Sequence, residues 1–311
     1  MSVPPGVSWP DNKRFAFTVF DDPDSQTLEA TQAVYGFLHQ HGFRTTKGVW
    51  PLAPRREASD YGLTCGDARY VEYLRQLQRQ GFEIGFHNAT SHTSTREETL
   101  EGLTRFAELF GHQPRVMANH YYCDENLYWG ADRLSGWRRA AYNLLTRYRN
   151  CGSSGHIEGH PNFWGDLCRE HVTYVRNFVL PEINTLRTCP FLPYHDPERP
   201  YVNFWYAGTE GSNSTRFIDA IAEEKQDRLE QEGGLCIMYT HFGHDYYSDG
   251  RLSPRFGELM KRLSRKNGWF APVGTILDHL RARQGARIIL PAERRALETS
   301  WLLKKITRGT S

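Results

Sequence analysis

Phe15 to Phe20 is a run of six aromatic, β-branched or small residues with no Gly or Pro. It predicts a buried strand, because such side chains fit a pleated core surface. Asp21-Asp22 follows at its end, and Pro23 stops it. Leu28, Tyr35 and Leu38 then share a helical face that Gly42 closes. A second strand is predicted over 44–50, and a Pro/Gly loop over 51–66. Asp67 caps a helix with a Val71, Leu74, Leu77 stripe that ends at Gly81. A short strand, 82–86, delivers His87. Thr95-Arg-Glu-Glu98 is a capping box for a helix carrying Leu100, Leu103, Ala107 and Phe110. A fourth strand, 115–118, ends at Asn119-His120. The alternation of strand and helix predicts a parallel sheet with crossover helices.

Residues 120–213 break this rhythm. Four of the eight Trp fall there (Trp129, Trp137, Trp164, Trp205), with many Tyr and Phe. Helices around 132–149 and 164–174 and weaker strands near 175–180 and 201–206 are predicted. Order returns with a helix face of Phe217, Ile218, Ile221, Ala222 and Leu229. An apolar strand, 235–240, then delivers His241. Phe256, Leu259, Met260 and Leu263 mark another helix, 269–273 a last strand, and Ile276, Leu277 and Leu280 a closing helix. The organisation expected is one (β/α) domain, 1–284, with 120–213 inserted. A basic tail, 285–311, amphipathic at Trp301, Leu302, Leu303 and Ile306, would pack on the body or rest on a membrane surface, packing being the expectation for one short segment.

Composition narrows the function. Hydrophobic residues are 39% and charged residues 24% of the 311, enough for a core. A net charge of +2 demands no nucleic-acid partner. No run approaches the ~20 apolar residues of a membrane span. The first residues carry no apolar signal region, and the six Cys (65, 123, 151, 168, 189, 236) form no C-x-x-C pair. The expectation is a cytoplasmic protein with reduced thiols.

Chemistry-bearing groups recur at one structural position. Asp21-Asp22, His87, Asn119-His120 and His241 each follow a predicted core strand, and in a parallel barrel all strand C-termini open on one rim. A lone His after a strand is more often structural, but four such coincidences point to a site. His92 adds an imidazole five residues after His87. On a helix that spacing would separate the pair by roughly 140°, so both belong to a loop. One carboxylate and two imidazoles suit Zn²⁺ or a similar divalent ion. The bland reading of that loop is a polar surface segment before the helix cap. His156 and His160 lie among glycines and read as loop residues. His244 either orients His241 or binds substrate, with a surface turn as the plain alternative. Most aromatics of 120–213 read as core, and some could stack on sugar rings.

The sequence resembles the polysaccharide deacetylases, carbohydrate esterase family four or the NodB-homology group. The resemblance rests on Thr18-Val-Phe-Asp21-Asp22, on Glu83-Ile-Gly-Phe-His87 with His92, and on Cys236-Ile-Met-Tyr-Thr-His241. It implies a distorted, incomplete (β/α) barrel and metal-dependent removal of an N-acyl group from an amino sugar. Asp21 would be the general base and His241 the general acid. Asp22, His87 and His92 would hold the metal. Two features depart from the family. Its paired His are usually four residues apart, not five. Its third motif carries an Arg that orients the base, whereas Pro114-Arg-Val-Met-Ala-Asn-His120 places Ala118 there. His120, with Asn119 and His244, therefore joins the list of possible site residues. The substrate expected is an amino-sugar or oligosaccharide precursor. Two other readings stand beside this one: an inactive barrel that binds a glycan or partner, and a hydrolase of another C–N bond, as in allantoin-type relatives.

Overall fold

The computed structural model describes residues 7–58, 60–150 and 152–311. Its centre is a parallel sheet of β1 (Phe15–Asp21), β2 (Thr46–Val49), β3 (Glu83–Phe86), β4 (Val116–Met117), β5 (Tyr174–Leu180), β7 (Phe204–Glu210) and β8 (Leu235–Thr240). The short β6 (Tyr194–His195) pairs antiparallel with β7 outside this ring. β8 runs beside β1 from Ala16↔Leu235 to Asp21↔Thr240 and also beside β7, at Thr209↔Met238. These pairings close seven strands into a barrel, one strand fewer than the eight of a full (β/α) barrel.

Period-two alternation sorts β1. Phe20 points into the barrel, where Gly48 and Gly85 of the next two strands make room for its ring. A Cβ at either glycine would lie 2.9 Å from a ring carbon. Asp21, one residue on, therefore faces outward, and Asp22 faces inward again.

The helices follow the sequence signals closely. Before the aromatic segment lie α1 (Leu28–Gln40), α2 (Ala68–Arg79) and α3 (Arg96–Phe110). Asp67 caps α2, the Thr95/Glu98 capping box opens α3, and left-handed Gly111 closes it. The segment expected as an insertion contains two barrel strands, β5 and β7. Only its first part, with α4 (Gly136–Leu145) and α5 (Gly165–His171), is a long excursion from the sheet. The basic tail forms an 18-residue helix, Pro291–Arg308, that docks on the barrel. Trp301 is fully buried, with ring centroids 5.5 Å from both Tyr142 of α4 and Phe178 of β5. Glu298, also fully buried, pairs with Arg138 of α4 at 2.9 Å. This docking brings Gly309 and Ser311 to the wall of a cavity that also borders the strand ends. Among the described residues, no helix is long and apolar enough to cross a membrane.

Candidate active site

A cavity of about 360 Å³ opens at the C-terminal ends of the strands. Its inner wall carries Asp22, Asp24, His87, Asn119, His120, Arg176 and His241. Asp22 and Asp24 follow β1, His87 follows β3, His120 follows β4, and His241 follows β8. The predicted convergence on one rim is thus a property of the barrel.

Asp21 lies elsewhere. Its carboxylate accepts hydrogen bonds from Gln26 Nε2 at 2.7 and 2.8 Å, from the Tyr35 hydroxyl at 3.0 Å and from the Phe242 N–H at 2.8 Å. Lys47 Nζ pairs with it at 3.1 Å, and both side chains are fully buried. These partners belong to the outer layer of the barrel, and Asp21 does not line the cavity. With every lone pair engaged, it ties β1 to α1, β2 and the segment after β8.

Asp22 is the carboxylate that faces the cavity. Arg176 of β5 grips it with both terminal nitrogens, Nη1 at 2.9 Å and Nη2 at 2.6 Å. Burial pushes the Asp22 carboxyl up, but Arg176, His87 and His241 together bring it down to about 2. The Arg that grips this carboxylate comes from β5, the strand after β4, and not from the stretch 114–120. The signal for it is a lone charged residue inside the apolar run Tyr174-Val-Arg176-Asn-Phe-Val-Leu180.

A second group lies beside this pair. His87 Nε2 is 3.1 Å from His120 Nδ1 and 3.5 Å from Asp24 Oδ2, and His120 Nδ1 is 3.4 Å from Asp24 Oδ1. Donors bound to one ion at about 2.0–2.1 Å in tetrahedral array are themselves roughly 3.4 Å apart. The spacing therefore fits three ligands of one divalent cation. The chemistry of the donors fits as well. Burial pushes the His87 imidazole well below its ordinary value and lowers that of His120, so both are neutral and able to ligate. Asp24 Oδ2 is buried with no hydrogen-bond partner among the described residues, although desolvation raises its carboxyl. A bound cation would satisfy that oxygen.

His92 is not in this group. Its Nε2 accepts from the Arg55 N–H at 3.1 Å, and its Nδ1 lies 2.9 Å from the Thr93 carbonyl. Both ring nitrogens are thus committed to the backbone, and the ring pins the 55 loop instead of reaching Asp22. The five-residue step from His87 leads along the loop, away from the rim.

His241 sits across from the donors. Its Nδ1 is 2.7 Å from the Ser212 carbonyl, which can only accept, so Nδ1 carries the proton. Nε2 is left facing Asp22 Oδ2 at 3.9 Å and Asp24 Oδ2 at 3.8 Å, with the Tyr239 hydroxyl 3.2 Å away. His244 stacks beside it at 4.8 Å and meets Ser25 Oγ at 3.1 Å. Asn119 uses its amide on the Leu127 backbone, donating to the carbonyl at 3.1 Å and accepting from the N–H at 3.0 Å. It shapes the loop and offers no free group to the cavity.

The support behind His120 is also legible only in three dimensions. Asn88, at φ 58°, donates to Glu125 Oε1 at 2.8 Å and accepts weakly from the His120 N–H at 3.4 Å. Asn126 donates to the His120 carbonyl at 2.5 Å. Burial pushes the Glu125 carboxyl up to about 8. This buried network fixes the loops after β3 and β4 against each other, and with them the two imidazoles.

Neither a family model nor a curated protein matches the sequence. Solved structures do match. A Mycobacterium smegmatis protein described as a polysaccharide deacetylase aligns over 93% of this chain and 98% of its own, at 14% identity and TM-score 0.53. Puue allantoinase aligns over 90% of this chain and 95% of its own, also at 14% identity, with TM-score 0.51. At such identities the likeness is one of fold. In its fold this chain is a NodB-type (β/α) barrel of the polysaccharide deacetylase kind.

Proposed function

We propose that the protein is a metal-dependent hydrolase that removes an N-acyl group from an amino sugar in a glycan precursor. The observation that carries this reading is the spacing of Asp24, His87 and His120 beside a separate, Arg-held carboxylate and a fourth imidazole. Asp24, His87 and His120 are the residues that would hold the cation. Zn²⁺ or a similar ion there supplies a water acidified toward pKa ~7 and a polarised acyl carbonyl. The base role first given to Asp21 passes to Asp22, and the ligand roles given to Asp22 and His92 pass to Asp24 and His120.

Asp22 accepts the water proton at its carboxylate. Arg176 keeps that carboxylate ionised and fixed in direction, at the cost of low basicity. A base that weak serves only an acidified water, a second reason to place a cation beside it. His241 donates from Nε2 to the departing nitrogen, while the Ser212 carbonyl holds its other nitrogen and so its orientation.

The same groups could cleave a C–N bond outside sugars, and the likeness to Puue allantoinase supports keeping that second reading. The experiment is acyl release from N-acetylglucosamine oligomers and from allantoin, before and after exhaustive chelation, with Zn²⁺ or Co²⁺ restored. Acetate release that chelation abolishes and metal restores is expected. Metal-restored allantoin cleavage without acetate release selects the second reading, and undiminished activity after chelation overturns the metal-dependent one.

A further inference from the structure

The cavity also carries a cation that the chemistry above does not use. Arg133 is only 3% exposed and lines the same cavity as Asp22 and His120. Its guanidinium carbon lies over the ring of Trp129 at 4.0 Å and over the ring of Trp301 at 4.2 Å. Cation–π contacts of this kind hold the group without using its N–H donors. Two of its nitrogens, Nε and Nη1, are buried with no hydrogen-bond partner among the described residues. The Tyr142 hydroxyl hydrogen-bonds the group. No carboxylate among the described residues lies within ion-pair distance of it.

A buried guanidinium without a carboxylate is costly. Burial lowers Arg133 to about 10, which still leaves it charged at neutral pH. Lys305 of the C-terminal helix lines the same cavity; its Nζ donates to the Thr310 carbonyl at 2.6 Å and, among the described residues, has no ion pair. Glu210, whose charge reaches Lys305, is already engaged by the Ser311 N–H at 2.8 Å, the Thr310 hydroxyl at 3.1 Å and Arg216 at 3.5 Å. Two neighbouring cations thus line one cavity with no ion-pair partner among the described residues.

We propose that Arg133 and Lys305 form a receptor for an anionic group, carboxylate or phosphate, carried by the substrate whose acyl end meets Asp22, His120 and His241. This rests on the hydrolase reading and narrows it to acidic acyl-amino sugars. Trp129 supplies a flat apolar face for the sugar ring or its substituent beside the anion.

The test is calorimetric titration of the Zn²⁺-loaded protein with three probes: N-acetylglucosamine, its 1-phosphate and its 6-carboxylate (uronic acid) analogue. At least one acidic probe is expected to bind about 10- to 100-fold tighter than the neutral sugar, as a charge-assisted contact in a desolvated site provides. Which one does so separates phosphate from carboxylate. Arg133→Gln should abolish the preference, and Lys305→Gln should reduce it several-fold. Equal affinity for all three probes would overturn the proposal. So would a preference that survives Arg133→Gln but disappears in His120→Ala, since the anion would then be sitting on the metal. If Arg133→Gln fails to fold, Lys305→Gln decides: an unchanged preference refutes the receptor. Acyl release is followed in parallel, and an Arg133-dependent preference supports the receptor whether or not acetate appears.

Discussion

Asp22→Asn is expected to lower turnover by about 10²–10⁴-fold, the usual cost of losing a general base, while the protein keeps its metal. The amide cannot accept the water proton. The donor set of Asp24, His87 and His120 is untouched, so metal content by elemental analysis should match the wild type. Asp22 and Arg176 are a buried pair, joined by two contacts of 2.9 and 2.6 Å, so some stability is lost as well, and circular dichroism must show that the fold persists. Arg176→Met should lower turnover in the same direction by releasing the carboxylate that it orients. If Asp22→Asn turns over at the wild-type rate, Asp22 is not the base.

Asp21→Asn should behave in the opposite way. The carboxylate it replaces neutralises the fully buried Lys47 and accepts from Gln26, Tyr35 and Phe242. Removing one partner of a buried ion pair leaves the other charge uncompensated and costs about 3–5 kcal/mol. Urea denaturation should show a loss of that size. The variant that remains folded should retain metal and much of its turnover per folded molecule. A stable Asp21→Asn protein with abolished turnover would return the base role to Asp21.

The contrast between these neighbours shows what could be read from the chain alone. The alternation of strands and helices, the Asp67 cap, the capping box at Thr95 and the delivery of His87, His120 and His241 to strand ends follow from local patterns, and the barrel keeps all of them. The choice between Asp21 and Asp22 was also within reach. Phe20 needs the glycines of β2 and β3 beside it, so Phe20 faces inward and the next residue outward. Asp24 lies in the turn past Pro23, where the strand period no longer applies, and only the fold brings it to the same cavity as Asp22. The motif likeness by itself points to Asp21, one residue before the carboxylate that faces the cavity.

Other parts were not local. Arg176 sits in a strand that the aromatic segment signals only weakly, and its partner Asp22 is 154 residues away. Nothing near Arg176 in sequence announces that pairing. His92 looked like a ligand because its loop begins at the rim, but loop direction depends on contacts to Arg55 and Thr93. The C-terminal helix has a readable apolar stripe. That it carries Lys305 to the cavity depends on where Trp301 docks.

The most direct test of the site is metal titration of three apo proteins: wild type, His120→Ala and His92→Ala. Binding of Zn²⁺ or Co²⁺ is followed by calorimetry or by the Co²⁺ visible spectrum. The wild type and His92→Ala should each bind one ion per chain with similar affinity, and His120→Ala should bind far more weakly. Retention by His120→Ala with loss in His92→Ala, or no stoichiometric binding by the wild type, would contradict the placement of the metal on Asp24, His87 and His120.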